Sequence, residues 1–237
     1  MEENVMNKKW KYFDDLTGKC YLNMAGAERD GSCWQQAFEM LKEIILEERK
    51  NDSEFAAELE QIDDATDYSF DIQEWLEDCL DEVDMREDYE TLLKMCDDLL
   101  TLFGWPEYTG SDIKFRKAIV LCKLGRMKEA VRFSEKWIQK EPENIVAAAA
   151  AVYVFTDAKK YEQAEVLVDK FIIDRSECGD ENDIMFTAAS KLYGVMGKKK
   201  EKKEVDKALE EYDDYLEKYF SGDGMDEEDE DMEFPFF

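Results

Sequence analysis

Apolar side chains recur at helical spacing along nearly the whole chain, and the alternation typical of a strand is rare. The clearest amphipathic faces comprise Trp34, Ala37, Phe38, Leu41, Ile44 and Ile45; Trp75, Leu76, Cys79, Leu80 and Val83; and Tyr89, Leu92, Leu93, Cys96, Leu99 and Leu100. Short breaks rich in Gly, Asp, Asn and Ser separate the faces, as they do at helix ends. The pattern predicts an all-α chain of ten or more helices.

A repeat of 34 residues marks the second half of the chain: residues 111–144 are followed by 145–178 in the same phase. The recurring pairs are Met127 and Tyr161, Ala130 and Ala164, and Trp137 and Phe171. A third copy follows if about four residues are inserted between positions 177 and 182. The first-helix and turn positions of that copy then hold Phe186, Ala189, Ser190, Tyr193 and Gly197.

This pattern resembles the tetratricopeptide repeat, a helix–turn–helix unit of 34 residues. The positions that match the family are Gly125, Ala130 and Pro142 in the first copy and Tyr161 and Ala164 in the second. The chain departs from the family at Lys114, where a tryptophan is frequent, and at Lys202, where an alanine is frequent. An ordinary helical bundle with a chance period is the alternative interpretation.

The resemblance implies a right-handed α-α superhelix of helical hairpins, an alpha solenoid, because a single hairpin does not bury its apolar face alone. It divides the chain into three parts. Residues 1–110 are expected to form a degenerate, strongly acidic helical-repeat region, and residues 111–220 the clear repeats with a C-terminal capping helix. Residues 221–237 are an acidic tail, expected to be disordered, that ends in Phe-Pro-Phe-Phe.

Charge is distributed unevenly along the chain, whose net charge is −29. Residues 51–98 hold 19 acids and 2 bases, residues 111–175 hold 10 acids and 13 bases, and residues 223–237 hold 8 acids and no base. A polyanion repels nucleic acid, so we expect no nucleic-acid partner. The acidic segment 51–98 is either a solvated outer face or a docking surface for a basic partner.

Candidate chemistry is sparse. The chain has no histidine, the usual general base near neutral pH and the commonest metal ligand. Its six cysteines form no CxxC pair, and it has no glycine-rich phosphate loop and no nucleophile elbow. We therefore expect no catalytic residue, no cofactor and no metal.

With no apolar run of membrane-spanning length and no signal-peptide core, the sequence favours a cytoplasmic protein with reduced thiols and no membrane partner.

The resemblance also implies a ligand groove along the first helix of each hairpin. By phase, the candidate groove residues are Phe115, Arg116, Ile119, Lys123, Val146, Ala149, Tyr153, Ile184 and Lys191. Some family members clamp a peptide carboxylate there, but the corresponding positions hold Phe115, Ile119 and Ala150, so we expect no such clamp. The groove is expected to be apolar with a few basic groups. Contact with the adjacent repeat is the alternative role of each of these residues.

Two functions follow from these patterns. The first is a non-catalytic protein–protein interaction module, a scaffold or adaptor that holds a peptide or helical segment in its groove. The alternative is an acidic chaperone-like or inhibitor protein that binds a basic client through its negative face and tail. A further hypothesis places the aromatic end of the tail in the groove of the same chain or of a neighbour, which would give self-association. Its candidate ligand residues are Phe234, Phe236 and Phe237.

Overall fold

In the computed structural model, residues 2–27 and 30–221 are described, with their side chains from residue 8 onward. These residues form ten α-helices: α1 Glu2–Met24, α2 Ser32–Glu48, α3 Ile72–Met85, α4 Tyr89–Leu102, α5 Ser111–Lys123, α6 Met127–Lys140, α7 Ile145–Asp157, α8 Tyr161–Phe171, α9 Asp183–Met196 and α10 Lys199–Ser221. Two short 3-10 helices, Leu59–Gln61 and Asp64–Thr66, precede α3. Within the described ranges no strand forms, so the expected all-α chain is confirmed. The acidic tail lies outside them.

The chain divides into two compact units, a first unit up to Ala130 and a second unit from Val131. This boundary falls within α6, whereas the sequence pattern placed a boundary between residues 110 and 111. Among the residues described, no helix combines the length and the apolar character that crossing a bilayer requires.

The helix boundaries repeat with the period seen in the sequence. The first residues of α5 and α7, Ser111 and Ile145, are 34 positions apart. The next hairpin begins at Asp183, which is 38 positions after Ile145, so four residues are inserted before it. Those residues belong to the connection between α8 and α9, as the sequence phase predicted.

Four helical hairpins close with the same turn. A residue with left-handed backbone lies two positions before the second helix of each: Glu87 (φ 58°), Gly125 (φ 71°), Lys159 (φ 60°) and Gly197 (φ 72°). The amide after it donates to the carbonyl five residues back, for example from Arg126 to Leu121 at 2.9 Å. The same bond joins Asp88 to Val83, Lys160 to Phe155 and Lys198 to Tyr193. This is the Schellman motif, which satisfies carbonyls that the end of a helix leaves free.

Aromatic rings hold α1, α2 and α3 of the first unit together. Trp10 of α1 stacks on Phe70 with ring centroids 4.9 Å apart, and Phe13 meets the edge of Trp75 at 5.1 Å. Trp75 in turn stacks on Trp34 of α2 at 6.5 Å. Large buried rings contribute much of the apolar area of a core, so this cluster fixes α3 against the first two helices.

Two charged side chains order the long connection between α2 and α3. The guanidinium of Arg49 donates to the carbonyls of Phe55, Ala56 and Leu102, which ties the connection to the end of α4. The buried carboxylate of Asp63 accepts from the amide of Ile72 at 2.6 Å and so caps the first turn of α3. The position of α3 therefore depends on this connection.

In the second unit, α7 packs against α8 and α9, and α9 packs against α10. The five consecutive alanines of α7, Ala147 to Ala151, are all buried, and their small side chains let neighbouring helices approach closely.

The departure from the family at Lys202 is explained by its neighbour Gly194. A Cβ there would lie 3.5 Å from Cε of Lys202, so the lysine stem covers a helix that has no side chain at that point. The Lys202 ammonium donates to Ser190 at 3.1 Å.

A hydrogen-bonded network fixes the start of α7. The side-chain oxygen of Asn144 accepts from the amides of Val146 and Ala147 at 2.9 and 3.2 Å, while its Nδ2 donates to Glu141 at 2.7 Å. The indole of Trp137 also donates to Glu141 at 2.7 Å. Asn144 is buried, so these bonds replace water at the junction of α6 and α7.

We expect the repeated turn to respond in opposite directions to exchange of its left-handed residue. Gly125→Ala should lower the free energy of unfolding by about 0.5–1 kcal/mol, because a Cβ strains left-handed backbone while no atom lies within 4 Å to contact it. Lys159→Gly should raise it by about 0.5–1 kcal/mol because the same strain is removed. Urea denaturation measures both, with Lys159→Ala as the control that keeps the strain. A loss of stability in Lys159→Gly would contradict this assignment.

The cap of α7 gives a second prediction. Asn144→Ala should lower the free energy of unfolding by about 1–2 kcal/mol, because two amides at the helix start lose their acceptor in a buried position. Asn144→Ser, which keeps a capping oxygen, should recover most of that loss. Thermal or urea denaturation of the full chain checks both variants, and equal stability of the alanine and serine variants would argue against a capping role.

Candidate functional site

A cleft between the end of α3 and the first helix of the following hairpin, α5, is the candidate site of the first unit, because predicted groove residues line it. Its volume is about 240 Å³. The apolar lining comes from α5, and the polar lining includes a carboxylate from each helix. The residues that line it are Asp84, Asp112, Phe115, Arg116, Ile119 and Val120. Phe115 and Ile119 are half-buried, so they offer apolar surface to an incoming side chain.

The electrostatics of this cleft are acidic. Arg116, its one cation, pairs with the Asp81 carboxylate of α3 at 2.7 Å. Asp84 and Asp112 are exposed. Helix α3 carries six acids and no base along Ile72–Met85. The cleft therefore combines an apolar floor with a negative rim, whereas the sequence led us to expect an apolar groove with a few basic groups.

The second unit presents another set of the predicted residues on α7 and α9. The ammonium of Lys191 lies 5.0 Å from the ring centroid of Tyr153 and 2.9 Å from the carboxylate of Asp157. Burial raises the pKa of Tyr153, so its phenol stays neutral and the ring serves as an apolar and cation-binding surface. Val146 and Ile184 are half-buried on the same two helices.

One predicted groove residue is corrected by the structure. Ala149 is fully buried within the run of alanines on α7, so its methyl group offers no surface to a ligand. Lys123 is exposed at the end of α5, outside the set of residues that line the cleft. The structure thus brings Phe115, Arg116 and Ile119 together in one cleft of the first unit.

Sequence reasoning missed the contribution of α3. Asp84 lines the cleft and Asp81 holds its arginine, yet neither was among the predicted site residues. The available signal was the run of acids in residues 72–85, which contains no base. The helical phase alone did not show which of those acids faces α5, because no clear repeat motif covers α3.

A second cavity, of about 350 Å³, lies between α6 and α8 within the second unit. Its apolar lining includes Ile138, Pro142, Ala148, Leu167 and Phe171. Of the charged residues that line it, Glu135 pairs with Lys160 and Lys170 with Glu143, both at 2.9 Å, and Glu141 accepts hydrogen bonds from Trp137 and Asn144. This cavity contains none of the predicted groove residues, so the cleft between α3 and α5 is the stronger candidate for a binding site.

The hypothesis about the tail concerns Phe234, Phe236 and Phe237, which lie outside the described residues. The sequence predicts that Arg116, Lys123 and Lys191 attract its acidic spacer. Of these, Arg116 pairs with Asp81 and Lys191 with Asp157, whereas Lys123 is exposed. The hypothesis stays a prediction, and these pairs reduce the attraction that it relied on.

The cysteines are free thiols, and four of them are buried: Cys20, Cys33, Cys79 and Cys96. Burial raises the pKa of Cys79 and raises that of Cys96 to about 12, so these thiols stay protonated and unreactive near neutral pH. Over residues 2–27 and 30–221, no group of three His, Cys, Asp or Glu side chains is arranged to hold a metal ion.

Comparison of the chain with protein-family models, with curated proteins and with solved structures gave no match.

The thiols give a prediction with a defined pH dependence. Burial raises the pKa of the half-buried Cys178 to about 11, so its thiolate fraction should rise about tenfold for each pH unit between 8 and 10. Its rate of labelling by a maleimide should follow that rise, and the Cys178→Ser variant identifies its signal. The four buried thiols should react only after unfolding in urea. Labelling of native Cys79 as fast as Cys178 would contradict the described packing.

Proposed function

We propose that the chain is a non-catalytic protein-interaction module, a scaffold or adaptor that holds a peptide or helical segment of a partner. The fold proposed with it is a right-handed superhelix of hairpins similar to tetratricopeptide repeats. Its support is the 34-residue spacing of α5 and α7 and the common Schellman turn of four hairpins. Repeats of this kind stack their hairpins and expose one helix of each pair to ligands.

The observation that carries the proposal is the cleft between α3 and α5. Phe115, Arg116 and Ile119 are three of the nine groove residues that the repeat phase predicts, and they line a cleft of about 240 Å³. That volume accepts one large apolar side chain, and binding through a few such anchors is common for helices laid in grooves. The cleft is therefore proposed as part of the binding surface.

The second candidate function is binding of a basic client by an acidic chaperone-like or inhibitor protein. A specific observation favours it: two exposed carboxylates line the cleft, and the adjacent α3 has six acids and no base. The two functions differ in their response to salt. Apolar contacts persist at high ionic strength, whereas attraction between exposed charges is screened.

The proposal also includes the cellular location, the class of partner and the absence of enzymatic activity. A cytoplasmic location is supported by six free cysteines, because an oxidising compartment favours disulfides. A partner other than nucleic acid is supported by the net charge of −29. The absence of histidine and of catalytic motifs in the sequence supports the proposal that the protein is not an enzyme.

Site-directed photocrosslinking tests the proposal. Phe115 is replaced by p-benzoylphenylalanine in one variant, and Val166, 69% exposed on α8, is replaced in the control. We expect an adduct from Phe115 that the control does not give and that Ile119→Asp abolishes. Persistence of the adduct at about 0.5 M salt favours the groove module, and its loss favours the basic client. Identical adducts from both positions would contradict a binding site in the cleft.

A further inference from the structure

Helix α10 is longer than the helix it pairs with. It spans 23 residues, whereas α9 spans 14. Because the two helices form a hairpin, the chain of α10 runs back toward the beginning of α9, where the hydroxyl of Tyr212 donates to Asp180. Residues 213–221 continue beyond that point, a further length of about 13 Å at the rise of an α-helix. We call this segment the α10 extension.

The apolar seam of α10 continues onto the α10 extension. Apolar residues alternate at spacings of four and three, as along a coiled coil: Val205, Leu209, Tyr212, Leu216 and Tyr219. Only Val205 and Ala208 of this helix are buried. Beyond Tyr212 the rings meet one another, with Tyr219 stacked on Tyr215 at 6.4 Å and edge-on to Phe220 at 5.4 Å.

Two of these three rings, those of Tyr215 and Phe220, are unusually accessible. Tyr215 is 51% exposed and Phe220 is 80% exposed, although aromatic side chains of a folded domain are mostly buried. Leu216 and Tyr219 of the seam are half-buried, and the exposed rings of Tyr215 and Phe220 flank them. A seam that is buried at Val205 and only half-buried in its last turns, beside exposed rings, is suited to a second helix, because coiled-coil spacing keeps the same face toward one partner over several turns.

The charged residues beside the seam are mostly acidic, which favours a basic partner. The acids are Glu210, Glu211, Asp213, Asp214 and Glu217, against which Lys218 is the one base of residues 210–221. A second copy would place this acidic flank against its own equivalent, and each chain carries a net charge of −29. The tail of the same chain, with 8 acids and no base, is repelled in the same way.

We propose that the α10 extension, together with Leu209 and Tyr212, is a docking surface for a basic amphipathic helix of another protein. The leucine or aromatic seam of that helix packs on Leu216 and Tyr219, and its lysines or arginines lie beside Asp213, Asp214 and Glu217. This surface is distinct from the cleft between α3 and α5 and does not depend on it.

Three synthetic helical peptides of about three heptads test the surface. The first has a leucine seam with lysine flanks, the second has the same seam with glutamate flanks, and the third keeps the lysines but has a serine seam. Fluorescence anisotropy with the full chain at about 0.15 M salt should show the first peptide binding at least about tenfold more tightly than the other two. Equal binding of the first and third peptides would overturn the proposal, because charge alone would then explain it.

Variants locate the binding. The double variant Leu216→Ser/Tyr219→Ser should weaken binding of the first peptide at least about tenfold, because it removes the seam and keeps every charge. The matched control, Val166→Ser/Ile173→Ser, changes two side chains of the second unit that are 69% and 93% exposed, and should leave binding unchanged. Circular dichroism verifies that both variants are folded.

The other occupants give distinct results. If the full chain forms a dimer that the Leu216→Ser/Tyr219→Ser variant dissolves, the surface binds a second copy. If only a chain lacking residues 222–237 binds the first peptide, the surface is occupied by its own tail. Equal binding of the first peptide to the double variant and to the unchanged chain places the site elsewhere. Each of these three results overturns the proposal.

Discussion

The structure depends on the tight turn between the two helices of each hairpin. A pair of helices leaves apolar surface on both sides, so it is stable only when the next helix meets that surface at a fixed distance. The left-handed residue and the Schellman bond end the first helix and begin the second within three residues, as from Leu124 to Arg126. The two helices are therefore held in one register. Helix α7 is an example: it packs against both α8 and α9, and most of its residues are buried.

The same constraint places the candidate site. The repeat phase, with four residues inserted before α9, predicts which residues the first helix of each hairpin presents, and α5 presents Phe115 and Ile119. The opposite side of the cleft, α3, is positioned by other contacts. Helix α3 is positioned by the aromatic cluster around Trp75 and by the Asp63 cap, and this packing brings Asp81 to Arg116. Helix α5 supplies the apolar floor and Asp112 of the rim, and α3 supplies Asp81 and Asp84.

Sequence reasoning reached the helices, the period of the second half and the inserted residues before α9, because all of these are local patterns. It did not reach the pairing of Arg116 with Asp81, which are far apart in the sequence and are joined only by packing. It also placed Ala149 in the groove, since phase gives a direction around a helix but not how closely the neighbouring helices approach. For the same reason, the sequence did not show that Gly194 provides the small residue that the family has at position 202.

Hydrogen–deuterium exchange of individual amides tests the central claim, that one turn geometry recurs along the chain. The informative amides are those of Asp88, Arg126, Lys160 and Lys198, which donate to Val83, Leu121, Phe155 and Tyr193. They lie in short surface turns, so protection there requires the Schellman bond. The account predicts exchange at least about 100-fold slower than in an unstructured peptide at all four positions. Exchange at the unstructured rate in these turns, with the flanking helices still protected, would contradict it.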